Sequence, residues 1–150
     1  MKVFPDTSFL CGLYIPQSTS RRAIDFMGRQ REPLVVSSLL LFEFRQSTQF
    51  QVFRFAADRS ERFSNQAAQA ALQALQSDLK AGAFELAEVD WADVHQQAER
   101  LALQHTRTGG HRSLDVLHVA TALHLGAGSF VTFDRRQRSL ARAEGLAVPV

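Results

Sequence analysis

Lysine is nearly absent from this sequence: Lys2 and Lys80 stand against fifteen arginines. Cysteine, tryptophan and tyrosine occur once each and proline four times. No apolar run approaches the ~20 residues that a membrane-spanning helix needs. Each scarcity excludes something. Cys11 alone cannot close an internal disulfide, and beside Leu10 and Leu13, with no histidine near it in sequence, it reads as a small hydrophobe rather than a nucleophile. Trp91 and Tyr14 are the only large polar aromatics, so base-stacking platforms are not evident. Met1-Lys2-Val3-Phe4-Pro5 turns acidic at Asp6, too soon for a signal peptide, so a cytosolic protein is expected. The excess of arginine has two readings that the sequence leaves open: GC-rich coding, or forked donors suited to a phosphate-rich partner.

What remains is an ordinary globular composition, 45% hydrophobic and 21% charged over 150 residues, with a net charge of +2. A chain of this length buries roughly 70% of its unfolded surface around one core. No Gly/Ser linker, repeat or low-complexity run divides it, so a single domain over residues 1–150 is expected. Short apolar runs predict strands at Lys2–Phe4, Leu34–Ser37, Phe84–Val89, Phe130–Phe133 and Leu146–Val150, the third interrupted by acids. Longer amphipathic runs predict helices at Ser18–Arg31, Ser38–Gln49, Ser60–Lys80, Trp91–Thr106, Ser113–Leu125 and Arg135–Glu144. Ser18 and Ser113 are N-cap candidates, and Gly28, Gly82, Gly126 and Gly145 fall near helix ends. Phe50–Arg59 either continues the helix before it or forms a helical hairpin with the one after it. Its phenylalanines Phe50, Phe53 and Phe55 are candidates for packing against a second copy of the chain. Strands that alternate with helices imply an α/β fold, a parallel sheet with helices on both faces.

Four acids stand out against apolar surroundings. Asp6 and Asp134 each follow a predicted strand, and in an open parallel sheet the carboxyl ends of strands open onto the functional crevice. Glu43 interrupts Leu39-Leu40-Leu41-Phe42-Glu43-Phe44, and Asp115 interrupts Leu114-Asp115-Val116-Leu117-His118-Val119-Ala120. A helix apolar on every side should be buried, and a buried carboxylate without a partner costs several kcal/mol or loses its charge. Each acid alone is accounted for by a neighbouring arginine: Glu43 by Arg45 or Arg54, Asp134 by Arg136, Asp115 by Arg112. All four together are better explained by one shared site. Clustered carboxylates repel one another unless a cation neutralises them, and an all-oxygen site suits Mg²⁺ or Mn²⁺. Such an ion lowers the pKa of bound water and stabilises charge on a phosphate, which points to phosphodiester hydrolysis. Arg107, Arg112, Arg135, Arg136 and Arg138 flank the acids and are candidates for gripping a polyanion.

The segments Met1–Leu10, Ser37–Glu43, Ser113–Ala122 and Val131–Gln137, in this order and spacing, resemble the PIN-domain nucleases. Within them the chain looks most like the toxin subunit of a VapBC-type toxin and antitoxin pair, and the resemblance spans nearly the whole chain. It implies a three-layer sandwich with about five parallel strands, Mg²⁺ or Mn²⁺ as cofactor, and endonucleolytic cleavage of RNA. Position by position, Asp6, Glu43, Asp115 and Asp134 match the family's acidic quartet, with Asp6, Asp115 and Asp134 the expected metal ligands. Thr7, Ser8 and Thr132 match its hydroxyl positions. The resemblance also implies a homodimer and inhibition by a small antitoxin that inserts a peptide into the acidic pocket.

Two residues depart from the family pattern. Pro5 stands where an aliphatic residue is usual, which predicts a short or kinked first strand. Arg135, Arg136 and Gln137 follow Asp134 where many members carry a further acid, which puts a second metal site in question.

His118, one turn after Asp115, reads as a packed, hydrogen-bonded residue rather than a ligand, and the other histidines form no ligand spacing. Arg107-Thr108-Gly109-Gly110-His111-Arg112 is a basic loop that either contacts RNA or simply connects. A phosphoacceptor domain would need a lysine near the last strand, and a haloacid-dehalogenase-like phosphatase a second aspartate where Ser8 stands. The rival from another class is a PIN fold that binds RNA or a protein without cutting; four intact acids count against it.

Overall fold

Pro5 takes one backbone donor out of the first strand. In the computed structural model, which describes residues 1–56 and 63–150, β1 (Val3–Pro5) is followed at once by α1 (Thr7–Tyr14). The Lys2 carbonyl accepts from Gly128 at 3.0 Å and the Asp6 N–H donates to Val131 at 3.0 Å, so these alternate residues turn their backbone toward β4 (Ser129–Val131). Val3 and Pro5 therefore turn theirs the other way, toward β2 (Leu34–Val36), and proline has no N–H to offer there. Parallel ladders join β1 to β4 and β2 to β3 (Phe84–Leu86), while β1 packs beside β2 without one. The spatial order is β3-β2-β1-β4.

The expected fifth strand, Leu146–Val150, is reduced to one parallel bridge. Ala147 accepts from Phe130 at 2.8 Å and donates to Gly128 at 3.0 Å. The acid-interrupted strand is also shorter than expected, although Ala87 still donates to Val36 at 2.9 Å.

Every residue of β2 and β4 is buried. Successive side chains on a strand point to opposite faces, so both faces of the sheet are covered. One helical group contains α1, α2 (Ser20–Arg29), α3 (Ser38–Ala56) and α4 (Asn65–Lys80); the other contains α5 (Trp91–Leu101), α7 (Ser113–His124) and α8 (Arg135–Ala143). The α/β sandwich is thus as expected. Phe4 stacks on Phe130 with centroids 6.1 Å apart, and Phe9 meets Phe26 edge-on at 5.6 Å, which ties sheet and helices into one core.

Several local expectations need correction. Thr7–Tyr14 is a helix that the sequence reading left unassigned, because its apolar residues run nearly unbroken and show no helical stripe. Ser18 and Ser113 are not caps: Thr19 and Arg112 hold those positions without side-chain cap bonds. Gly28 lies inside α2, whereas Gly82, Gly126 and Gly145 have positive φ just past helix ends. The described part of Phe50–Arg59 continues α3; residues 57–62, which include the expected start of the Ser60–Lys80 helix, lie outside the described residues. Ser64 caps α4 by accepting from Ala67 at 3.0 Å. After α5 the helix widens into a π turn over Ala102–Thr106 and ends through α6 (Arg107–Gly109) at Gly110, φ 64°. Of the expected basic loop Arg107–Arg112, the first three residues thus continue the helix, and Gly110–Arg112 form the connection. Among the described residues, no helix is long and apolar enough to cross a membrane.

Candidate functional site

Asp6 is fully buried and caps α1. Its Oδ1 accepts from Ser8 Oγ at 2.7 Å and from the Phe9 N–H at 2.9 Å; its Oδ2 accepts from Thr132 Oγ1 at 2.5 Å and from Gln137 Nε2 at 2.7 Å. Burial pushes its carboxyl up to about 6, against the opposing pull of the Thr132, Ser8 and Phe9 donors.

Asp134 caps α8 in the same way. Its Oδ1 accepts from the N–H groups of Arg136 at 2.8 Å and Gln137 at 2.9 Å, and its own N–H donates to Thr132 Oγ1 at 2.9 Å. Thr132 thus joins the two aspartates through one hydroxyl. Ser8 reinforces the joint, accepting from Phe133 N–H at 2.9 Å and lying 3.2 Å from Thr132 Oγ1. The hydroxyls of Ser8 and Thr132 therefore both donate to Asp6, and that of Thr132 also accepts from the Asp134 N–H. Thr7 Oγ1 is buried and meets no partner in hydrogen-bond geometry among the described residues, though it is close enough to Glu43 to favour its ionised form.

Glu43 and Asp115 come from the two helical groups. Glu43 Oε2 lies 2.7 Å from Nε2 of the fully buried His118. Burial raises the Glu43 carboxyl, but the bond and charge of His118, with Thr7 and Arg112, outweigh it and hold it below its ordinary value. Asp115 sits in the first turn of α7, where Arg112 Nε contacts its Oδ2 at 3.2 Å. Burial raises the Asp115 carboxyl; Arg112 opposes the shift, and the charges of Asp134 and Glu43 add to it. That the charges of both Asp134 and Glu43 act on Asp115 is what convergence on a common region produces.

Of the arginine partners considered for the acids, only Arg112 with Asp115 forms an ion pair among the described residues. Glu43 takes His118 instead, and Asp134 takes backbone donors. Arg107, Arg112, Arg135 and Arg136 are all exposed, whereas Arg138 is drawn aside to the Val150 carbonyl at 2.9 Å. A cleft of about 400 Å³ runs beside Glu43 and Asp115, walled by Arg112, Leu114, Ser47 and Phe50. Cys11 is half-buried against Ser47, and burial pushes its thiol up to about 11, consistent with an unreactive hydrophobe.

The donor set suits a hard divalent cation in chemistry: it is all carboxylate oxygen, and at Asp115 the charges of Asp134 and Glu43 add to burial in disfavouring the ionised form. The arrangement is less ready. Among the described residues, no group of three or more His, Cys, Asp and Glu side chains stands together as a metal site. Protein donors occupy the oxygens instead: both on Asp6, Oε2 of Glu43 and Oδ2 of Asp115. Gln137 and the His118–Glu43 pair are the elements of this site that sequence reasoning missed. The periodicity of α7 marked His118 as inward-facing, but no local signal named its partner.

The PIN-domain family model matches residues 3–143. No curated protein sequence matches the chain. Among solved structures, VapC20 of Mycobacterium tuberculosis, described as a sarcin-ricin loop cleaving toxin, superposes with a TM-score of 0.66 at 19% identity, covering 92% of this chain and 94% of its own. FitAcB from Neisseria gonorrhoeae superposes with a TM-score of 0.60 at 16% identity, covering 97% and 95%. At such identities the likeness is one of fold, and it agrees with the family match over nearly the whole length: this chain belongs to the PIN-domain family.

Proposed function

We propose that this chain is a divalent-metal-dependent endoribonuclease, the toxin of a type II toxin-antitoxin pair, working in the cytoplasm. The observation that carries the reading is Asp115, whose carboxyl is raised by burial and then by the charges of Asp134 and Glu43, standing with Glu43 in a cleft that the exposed Arg112 also walls. The fold likeness to a toxin that cleaves the sarcin-ricin loop supports structured RNA as the substrate class.

Asp115 and Asp134, each with an oxygen not engaged by described residues, would hold Mg²⁺ or Mn²⁺; Asp6 joins them only by releasing one of its donors. A bound divalent ion supplies charge neutralisation at the scissile phosphate. Glu43, kept ionised by His118, is placed to accept a proton from the attacking water. Ser8 and Thr132 orient Asp6 and Asp134, and Arg107, Arg112, Arg135 and Arg136 grip phosphates of the substrate. The exposed Phe42, Phe50 and Phe53 of α3 support a homodimer, and the acidic cleft supports capture of a basic segment from a small antitoxin.

The absence of a ready three-ligand metal set among the described residues favours one other reading, a PIN module that binds RNA or protein without cutting. Incubation of structured RNA with purified chain and Mn²⁺ or Mg²⁺, beside EDTA and Asp115→Asn controls, separates the two. Metal-dependent cleavage that the variant lacks is the expected result. RNA binding without cleavage under either metal establishes the binding module.

A further inference from the structure

Gln137 touches two of the four acids at once. Its backbone N–H donates to Asp134 Oδ1 at 2.9 Å, and its side-chain Nε2 donates to Asp6 Oδ2 at 2.7 Å. The second contact joins residues 131 apart in sequence, between a side chain 4% exposed and one fully buried. The amide orientation is set by its partner, since the flipped group would press Oε1 against a carboxylate oxygen.

An amide here has a cost. Gln137 Oε1 is buried and has no partner among the described residues, and an unpaired buried acceptor costs about 1–3 kcal/mol. A position serving packing alone would be filled better by leucine or methionine. What the amide offers against that cost is the bond its other end makes to Asp6. The remaining donors to Asp6 come from Ser8, Phe9 and Thr132, close to the ends of β1 and β4; Gln137 adds the start of α8. All four donors among the described residues are neutral dipoles, with the more distant charge of His118 adding to them, around a carboxyl group out of contact with solvent.

We propose that Gln137 is a positioning residue for the cleavage reaction: it fixes Asp6 relative to Asp134, and its neutral amide takes on Asp6 Oδ2 the place that a cation would otherwise fill. Asp6 thereby serves as a brace for the acids around it. The inference rests on the nuclease reading above.

The test uses the full chain with structured RNA and Mn²⁺, comparing wild type with Gln137→Met, which keeps the length but loses the donor, and Gln137→Glu, which replaces the donor with a second carboxyl group. Initial rates over a range of RNA concentrations separate kcat from KM, and circular dichroism confirms folding at the assay temperature. A misplaced catalytic group costs up to about 100-fold, so Gln137→Met is expected to lose 10- to 100-fold in kcat with KM within about threefold of wild type. Gln137→Glu is expected to lose more, at nearly equal side-chain size. If Gln137→Met melts below the assay temperature, Gln137→Asn takes its place and is expected to show the same split. A folded variant with wild-type kcat, or one impaired in KM alone, overturns the positioning role while leaving the nuclease reading intact. A wild-type chain inert with both Mn²⁺ and Mg²⁺ overturns both.

Discussion

His118 Nε2 lies 2.7 Å from Glu43 Oε2, pairing a wholly buried imidazole on α7 with a carboxylate on α3 at the mouth of the cleft. The pair joins the two helical groups across the site. Hydrogen bonds to charged groups contribute about 1.5–3 kcal/mol, and deleting a buried ring adds a cavity. His118→Ala is therefore expected to lower stability by about 2–4 kcal/mol in urea unfolding and to weaken cleavage. Glu43→Gln, which keeps a polar partner for the ring, is expected to cost less stability but as much activity. Equal stability losses would contradict this account of the pair.

Asp6 makes stability depend on pH in a defined direction. Its carboxyl is raised from 3.8 to about 6, so the folded state binds that proton more tightly than the unfolded chain does. The stabilisation is fully present below about pH 4 and is lost as pH rises through about 6, an effect on the order of 3 kcal/mol for this shift. Glu43 acts with the opposite sign: its lowered carboxyl stabilises above its ordinary value, and the contribution fades as pH falls through the depressed one. Denaturation of wild type and Asp6→Asn between pH 4 and pH 6 isolates the first effect. The wild type is expected to lose stability relative to the variant as pH rises; a constant difference would refute the buried-carboxyl assignment.

Arg112 has two tasks that salt separates. Its side chain is 73% exposed, so its pair with the Asp115 carboxylate contributes little to stability, about 1 kcal/mol at most. Its charge nevertheless opposes the upward shift of Asp115. Arg112→Ala is expected to leave melting almost unchanged and to move the acid limb of the cleavage profile to higher pH. It should also reduce the salt slope of RNA binding by about one unit. A salt slope equal to wild type would remove Arg112 from the RNA surface.

Gly12 is a point of close approach between α1 and its neighbours. A Cβ built there would stand 2.9 Å from Thr19 Oγ1 and 3.0 Å from the Phe133 ring, which stacks on Phe9 with centroids 5.9 Å apart. Overpacking of this kind costs about 1–3 kcal/mol. Gly12→Ala is expected to melt at lower temperature and, because Phe133 adjoins Asp134 and its N–H is held by Ser8, to disturb the acid network as well. Calorimetry with a parallel cleavage assay measures both.

Much of the site was legible because carboxylates are costly in apolar company. Glu43 inside a leucine and phenylalanine run, and Asp115 inside an apolar helix, needed a reason beyond solvation, and the strand endings placed Asp6 and Asp134 at the same edge. Gln137 gave no such signal, since a glutamine in an arginine-rich first turn looks like solvated surface. Helix α1 was hidden by the opposite problem: Phe9, Leu10, Cys11 and Leu13 run nearly together, and an apolar run that short fits a strand or a loop equally well.

Local chemistry by itself determined the alternation of strands and helices, the four acids as a candidate set and the short first strand at Pro5, because each follows from side-chain polarity, period or a missing N–H; the hydroxyls beside the acids followed only from the resemblance to PIN-domain nucleases. Tertiary structure alone decided who pairs with whom. Thr132 and Gln137 reach Asp6 across 126 and 131 residues, and His118 reaches Glu43 across 75. Such contacts exist only once the parallel strands have brought distant segments to a common edge, and no periodicity within a segment encodes its partner.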